Sequence, residues 1–228
     1  MIFNPFIKKM IPPDKLSQVI LGGQDGLVNT LGVILGVAAA SSNVKIVVAG
    51  GLAACFAEAV SMGAVAYTSK RAEEDHYNSE LKKETELIKE KPEEGKRRVE
   101  EIYQKKGFED SNLNKVVELV TSNKNTWLSV LLSEDGLAPI DRREVLIDAL
   151  IVFLAALLGA LIPLAPFFFL QLSSGIVASI FISSLSLFAL GYYKGKMTIG
   201  KAFYNGLELL TIGMAAAFIG YAIGYLFR

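Results

Sequence analysis

Five stretches of this chain are each long and apolar enough to cross a lipid bilayer, which confines the fold to a bundle of membrane-spanning helices. They run from Leu16 to Ala40, Val44 to Ser69, Val145 to Phe168, Gly175 to Tyr193 and Ala202 to Phe227. A helix needs roughly 20 residues to span the hydrocarbon core. Inside lipid every backbone N–H and C=O must find its partner within the segment, so such stretches are read as helices. The expected fold class is an all-α integral membrane protein of five transmembrane helices.

The charges sort the rest of the chain. Basic and acidic residues balance at 23 each, so no global field attracts nucleic acid. Between Lys70 and Glu144, however, stand 15 of the basic and 18 of the acidic residues. Three parts follow: 1–69 with the first two spans, a charged helical domain over 70–144, and 145–228 with the last three spans. Lys8, Lys9 and Lys15 flank the first span, and Lys194, Lys196 and Lys201 join the fourth to the fifth. The opposite side carries only Lys45 and Arg228. By the positive-inside rule the N-terminus and the large charged segment face the cytoplasm. Short loops and the lack of a targeting extension lead to the expectation of a prokaryotic plasma membrane.

Within the charged segment, Tyr77, Leu81 and Ile88 recur at helical spacing, so the second span is expected to continue as a polar helix. Pro92, followed by Glu93 and Glu94, reads as a new helix start, and Gly107 as its stop. A third helical stretch breaks at Asn123-Lys124-Asn125. The expectation is a cytoplasmic helical bundle inserted between helices 2 and 3, its charges mostly solvated faces.

Two carboxylates fall where lipid is expected. Asp25 lies about ten residues into the first span and Glu58 near the middle of the second. On insertion scales an acidic residue at mid-helix costs roughly 2.5–3.5 kcal/mol, so an ionisable residue there is a functional candidate by default. Asn29 follows Asp25 by one turn and shares its face, as Met62 does with Glu58. Carboxylate and thioether together make a mixed hard and soft donor set, suited to a borderline cation such as Fe2+ rather than to Mg2+ or Ca2+. Cys55, the single cysteine, is read as core packing. Asp148 sits in the first turns of its helix, where a carboxylate is favourable for structural reasons alone. Glu208 is the weakest candidate.

Gly22, Gly26, Gly32 and Gly36 form small-xxx-small pairs that let helices approach closely. Gly22, Gly23 and Gly26 also flank Asp25, where a loosened helix would expose carbonyls to an ion. No nucleophile–base spacing or phosphate loop points to an enzyme, and the lone His76 is expected to face solvent.

The run DGLVNTLGVILGVAAA resembles the first-helix signature of the vacuolar iron transporter family. AGGLAACFAEAVSMGAVAYTSKRAEEDHY and FALGYYKGKMTIGKAFYNGLELLTIGMAAAFIGYAIG are similar to its second and last two spans. The resemblance implies a homodimer with the first helices near its axis, and proton-coupled antiport of Fe2+ or Mn2+ out of the cytoplasm. The transported ion is then the only metal required, with no further cofactor. It implies a membrane site of Asp25, Glu58 and Met62, with Asn29 beside it. The resemblance also implies metal gathered in the cytoplasmic domain, and there the best register keeps Glu84 and Glu134 but puts Leu87, Gly95, Arg98 and a leucine or valine at the other ligand places. Glu80, Glu90, Glu94 or Glu101 substitute only in a shifted register. Val65, Ala66 and Tyr67 stand where many members read GEY. The rival expectation is a non-transporting membrane scaffold or a degenerate family member, whose carboxylates are neutral and hydrogen-bonded.

Overall fold

A computed structural model describes residues 13–197 and 200–228. Among the described residues it is helical throughout, with eight α-helices: α1 (Pro13–Ala40), α2 (Val44–Glu90), α3 (Pro92–Lys105), α4 (Asp110–Thr121), α5 (Lys124–Glu134), α6 (Arg142–Leu164), α7 (Leu172–Met197) and α8 (Ala202–Leu226). Five of these, α1, α2, α6, α7 and α8, are long and apolar enough to cross a membrane. Lys8 and Lys9, which entered the orientation argument, lie outside the described residues.

The chain divides into two compact units, one reaching to Tyr67 and resuming at Leu146, the other comprising Thr68–Val145. In the first, α1 lies at the centre. Its Leu27, Leu31, Ile34 and Leu35 are almost wholly buried. Ile34 and Ala38 pack with Val47, Leu164 and Phe167, while Leu31 and Leu35 pack with Ala217. The outer faces are as apolar as the core: Phe169, Phe218 and Phe181 are 87%, 72% and 70% exposed. Water would not tolerate so much exposed hydrocarbon, whereas lipid requires it.

Small residues set the distances between these helices. Gly22 and Gly26 face α6, where a Cβ on Gly22 would stand 2.6 Å from the Val152 carbonyl oxygen. Gly32 and Gly36 face α8, and a Cβ on Gly36 would stand 2.8 Å from the Gly220 oxygen. Gly32 and Gly36 are thus used within the chain against α8. One expectation is corrected here: the helix does not loosen around Asp25, since α1 is an unbroken α-helix through Gly22, Gly23 and Gly26, with Gly22 and Gly26 spent on close approach to α6.

Pro163 interrupts the hydrogen-bond ladder of α6 near its end. The chain then tightens into a 3₁₀ turn over Ala165–Phe168, and the Ser179 hydroxyl donates to the Pro163 carbonyl at 2.7 Å. A serine on α7 thus satisfies a backbone acceptor that lipid would leave bare.

In the second unit α2 runs on unbroken past the membrane-length segment to Glu90. Pro92 occupies the first turn of α3, with Glu93 and Glu94 at its positive end. Gly107, at φ +88°, ends the α3 region in the left-handed conformation that glycine adopts most readily. Asn123 caps α5 by accepting from the amides of Asn125 and Thr126. The core gathers Val99, Ile102, Val120, Trp127 and Leu131. Gly95 makes room for the indole, since a Cβ there would lie 2.9 Å from Cζ2 of Trp127.

Candidate functional site

Asp25 and Asn29 are one turn apart on α1, and Glu58 faces them from α2. The Glu58 carboxyl interacts with both the Asp25 and the Asn29 side chains. Asp25, Glu58 and Met62 are half-buried and Asn29 is exposed. The next residue after Asp25 is Gly26, pressed against the Ala156 backbone of α6. That close contact fixes the height and rotation of the α1 turn that carries the carboxylate. On α2, Cys55 and Ala59 are fully buried on either side of Glu58, and they fix its rotation in the same way. Cys55 directs its sulfur towards the Leu157 carbonyl of α6 at 3.8 Å, so it belongs to the packing. Met62 follows Glu58 by one turn on the same side of α2.

The arrangement brings two carboxylates and an amide together in an apolar setting. Two negative charges this close in low dielectric repel strongly. A cation or a proton between them relieves that repulsion, and the amide can donate to one carboxylate while its oxygen stays available as a ligand. Among the described residues there is no group of three or more His, Cys, Asp and Glu arranged to hold a metal. Within one chain the cluster therefore holds two carboxylates, with the Asn29 amide on the Asp25 face of α1 and the Met62 thioether one turn from Glu58 on α2.

The other candidates separate from this cluster. Asp148 is buried on α6 and forms an ion pair with Lys15 of α1. Sequence reasoning gave Asp148 a helix-end role and missed Lys15 as its partner. The available signal was that both lie in the opening turns of helices expected to start on the same side. Glu208 is exposed on α8, and His76 is exposed on α2.

In the second unit Glu84 is 6% exposed and is held by Arg98. Glu134 lies 3.8 Å from Lys105. Three of the four acids of the shifted register pair with a base three or four residues away: Glu80 with Lys83 at 2.6 Å, Glu94 with Lys91 at 3.7 Å, and Glu101 with Arg97 at 3.7 Å. Neither register assembles a multi-carboxylate cluster.

The sequence profile of the VIT family matches residues 16–225, nearly the whole of the described chain. The chain belongs to the VIT family. Among its relatives, vacuolar iron transporter 1 of Arabidopsis thaliana is 34% identical over 87% of this chain and 80% of its own length. Vacuolar iron transporter 1 of Tulipa gesneriana is 32% identical over 95% of this chain and 88% of its own length. Protein CCC1 of Saccharomyces cerevisiae is 29% identical over 91% of this chain and 67% of its own. The VIT relatives are named as transporters, and this family member is a multi-pass membrane protein rather than an enzyme. The expectation of a prokaryotic plasma membrane is corrected by the same comparison. These relatives are eukaryotic, two of the three are named for the vacuole, and short loops carry no information about which membrane hosts a protein.

Proposed function

We propose that this VIT family member carries Fe2+ or Mn2+ out of the cytoplasm, into the lumen of an internal compartment, in exchange for protons. The observation that carries the reading is the Glu58 carboxyl meeting Asp25 and Asn29 between two apolar helices. Two carboxylates in that setting cost several kcal/mol to insert, and an amide or a leucine at either place would serve packing alone. As metal ligands they have a use for the charge. As proton acceptors they have a use for its loss, since metal and protons compete for the same oxygens. Met62 adds a soft donor that favours a borderline divalent ion over Ca2+ or Mg2+.

Two carboxylates, one amide and one thioether leave coordination positions open, and a homodimer with two such clusters side by side would complete them. The exposed Asn29 supports that reading, since an amide facing lipid would lose hydrogen bonds that a second copy can supply. Lys15, Lys194, Lys196 and Lys201 support a cytoplasmic position for the N-terminus and for the helical unit between α2 and α6. Iron as the cargo rests on the relatives' names, and manganese on the similar donor preference of the two ions.

The test is metal flux into proteoliposomes under a pH gradient. Asp25→Asn and Glu58→Gln should each abolish Fe2+ and Mn2+ uptake while expression and assembly persist, because the shapes are kept and amides are easier to bury. Full flux in the double amide variant would overturn the site, and a wild type that moves neither ion would favour the scaffold alternative.

A further inference from the structure

Glu84 is one of two residues that the family resemblance marks as metal ligands in the helical unit, and it already has a cation. Arg98 Nη1 lies 2.7 Å and 2.8 Å from its two carboxylate oxygens. The carboxylate is buried, with a side chain 8% exposed, while Arg98 is one-third exposed. The pair is not a local one. Glu84 belongs to the distal part of α2 and Arg98 to α3, beyond the break at Lys91-Pro92. Val99, next to Arg98, is fully buried, and Gly95, one turn earlier, admits Trp127. The guanidinium is therefore held at the margin of a packed core. A metal ion could take Glu84 only by displacing a charge-assisted hydrogen bond to each oxygen, and it would meet the like charge of Arg98 as it did so.

We propose that Arg98 is the built-in cation of this unit. It neutralises Glu84 where a divalent ion would otherwise be needed, and it clasps α3 to α2 so that the unit keeps its fold with no metal bound. The second marked residue agrees with this arrangement. Glu134 stands beside Lys105, and the acids of the shifted register, apart from the exposed Glu90, carry basic partners three or four residues away. The residues present do not fit a metal store; they fit a unit neutralised from within. The inference is independent of the membrane site, because it concerns the fold of the helical unit and not transport.

Hydrogen exchange of the full-length protein in nanodiscs tests it, reading the amides of 93–102 with MnCl2 and with EDTA. Wild-type exchange should be the same in both. Arg98→Gln should speed exchange of these amides roughly tenfold or more, the opening expected when a buried carboxylate loses a charged partner. Arg98→Glu places two carboxylates together, so its exchange should be fast in EDTA and slowed again by Mn2+. Protection of the wild type by Mn2+ would overturn the proposal. So would wild-type exchange in Arg98→Gln, or an Arg98→Glu variant that Mn2+ leaves unprotected.

Discussion

Replacing Gly26 with alanine adds one methyl group at the point where α1 comes closest to α6. The new Cβ would lie 2.8 Å from the Ala156 carbonyl carbon and 3.0 Å from its Cα, and nearer still to the oxygen. Carbon atoms rest at about 3.5–4.0 Å, so α1 must retreat by roughly 1 Å. Every atom in the way is backbone, and none can turn aside as a side chain would. Forced overpacking of this kind costs about 1–3 kcal/mol. The retreat also moves Asp25, the preceding residue, away from its position opposite Glu58. Gly23→Ala on the same helix is the matched control: its Cβ would stand 3.8 Å from the Ala155 oxygen, an ordinary contact. Alanine favours a helix over glycine, so that change should be neutral or mildly stabilising. Thermal unfolding in detergent and Mn2+ flux in proteoliposomes read the two effects. Gly26→Ala should lower the melting temperature and reduce flux further than the loss of folded protein accounts for. A Gly26→Ala protein that melts and transports like the wild type would refute the reasoning, as would a Gly23→Ala protein damaged to the same degree.

Other outcomes follow from the same geometry. Met62→Leu should weaken Fe2+ flux more than Mn2+ flux, because only the softness of the thioether is lost; equal loss for both ions in a competition assay would show that Met62 acts through packing. Gly224→Ala brings a Cβ within 2.8 Å of the Gly36 Cα and should destabilise the α1–α8 contact by about 1–3 kcal/mol, while Gly50→Ala, 3.5 Å from a Val37 methyl, should not; melting curves of the pair compare them directly. Asp148→Asn removes the buried ionic partner of Lys15 and should cost about 1–3 kcal/mol, visible as a lower melting temperature at neutral pH.

Five membrane-length helices could be read from the sequence because insertion is decided locally. Bilayer thickness sets a length, and each residue adds its own transfer cost whatever its tertiary neighbours. The continuation of α2 past its apolar part and the helix start at Pro92 were legible for a similar reason, since periodicity and proline chemistry act within a few residues. The carboxylates Asp25 and Glu58 stood out by their cost in lipid alone. Everything that depends on which face of one helix meets another needed the tertiary structure. Gly32 and Gly36 announce a close contact, but only the rotation of α1 assigns it to α8 rather than to a second copy. Lys15 and Asp148 are 133 residues apart, and no local pattern pairs them. Glu84 and Arg98 were each visible as one ligand place kept and one lost. That the arginine grips the glutamate, and so fills the place of an ion, depends on how α3 folds back along α2, because charge pairing is a matter of distance in space and not along the chain.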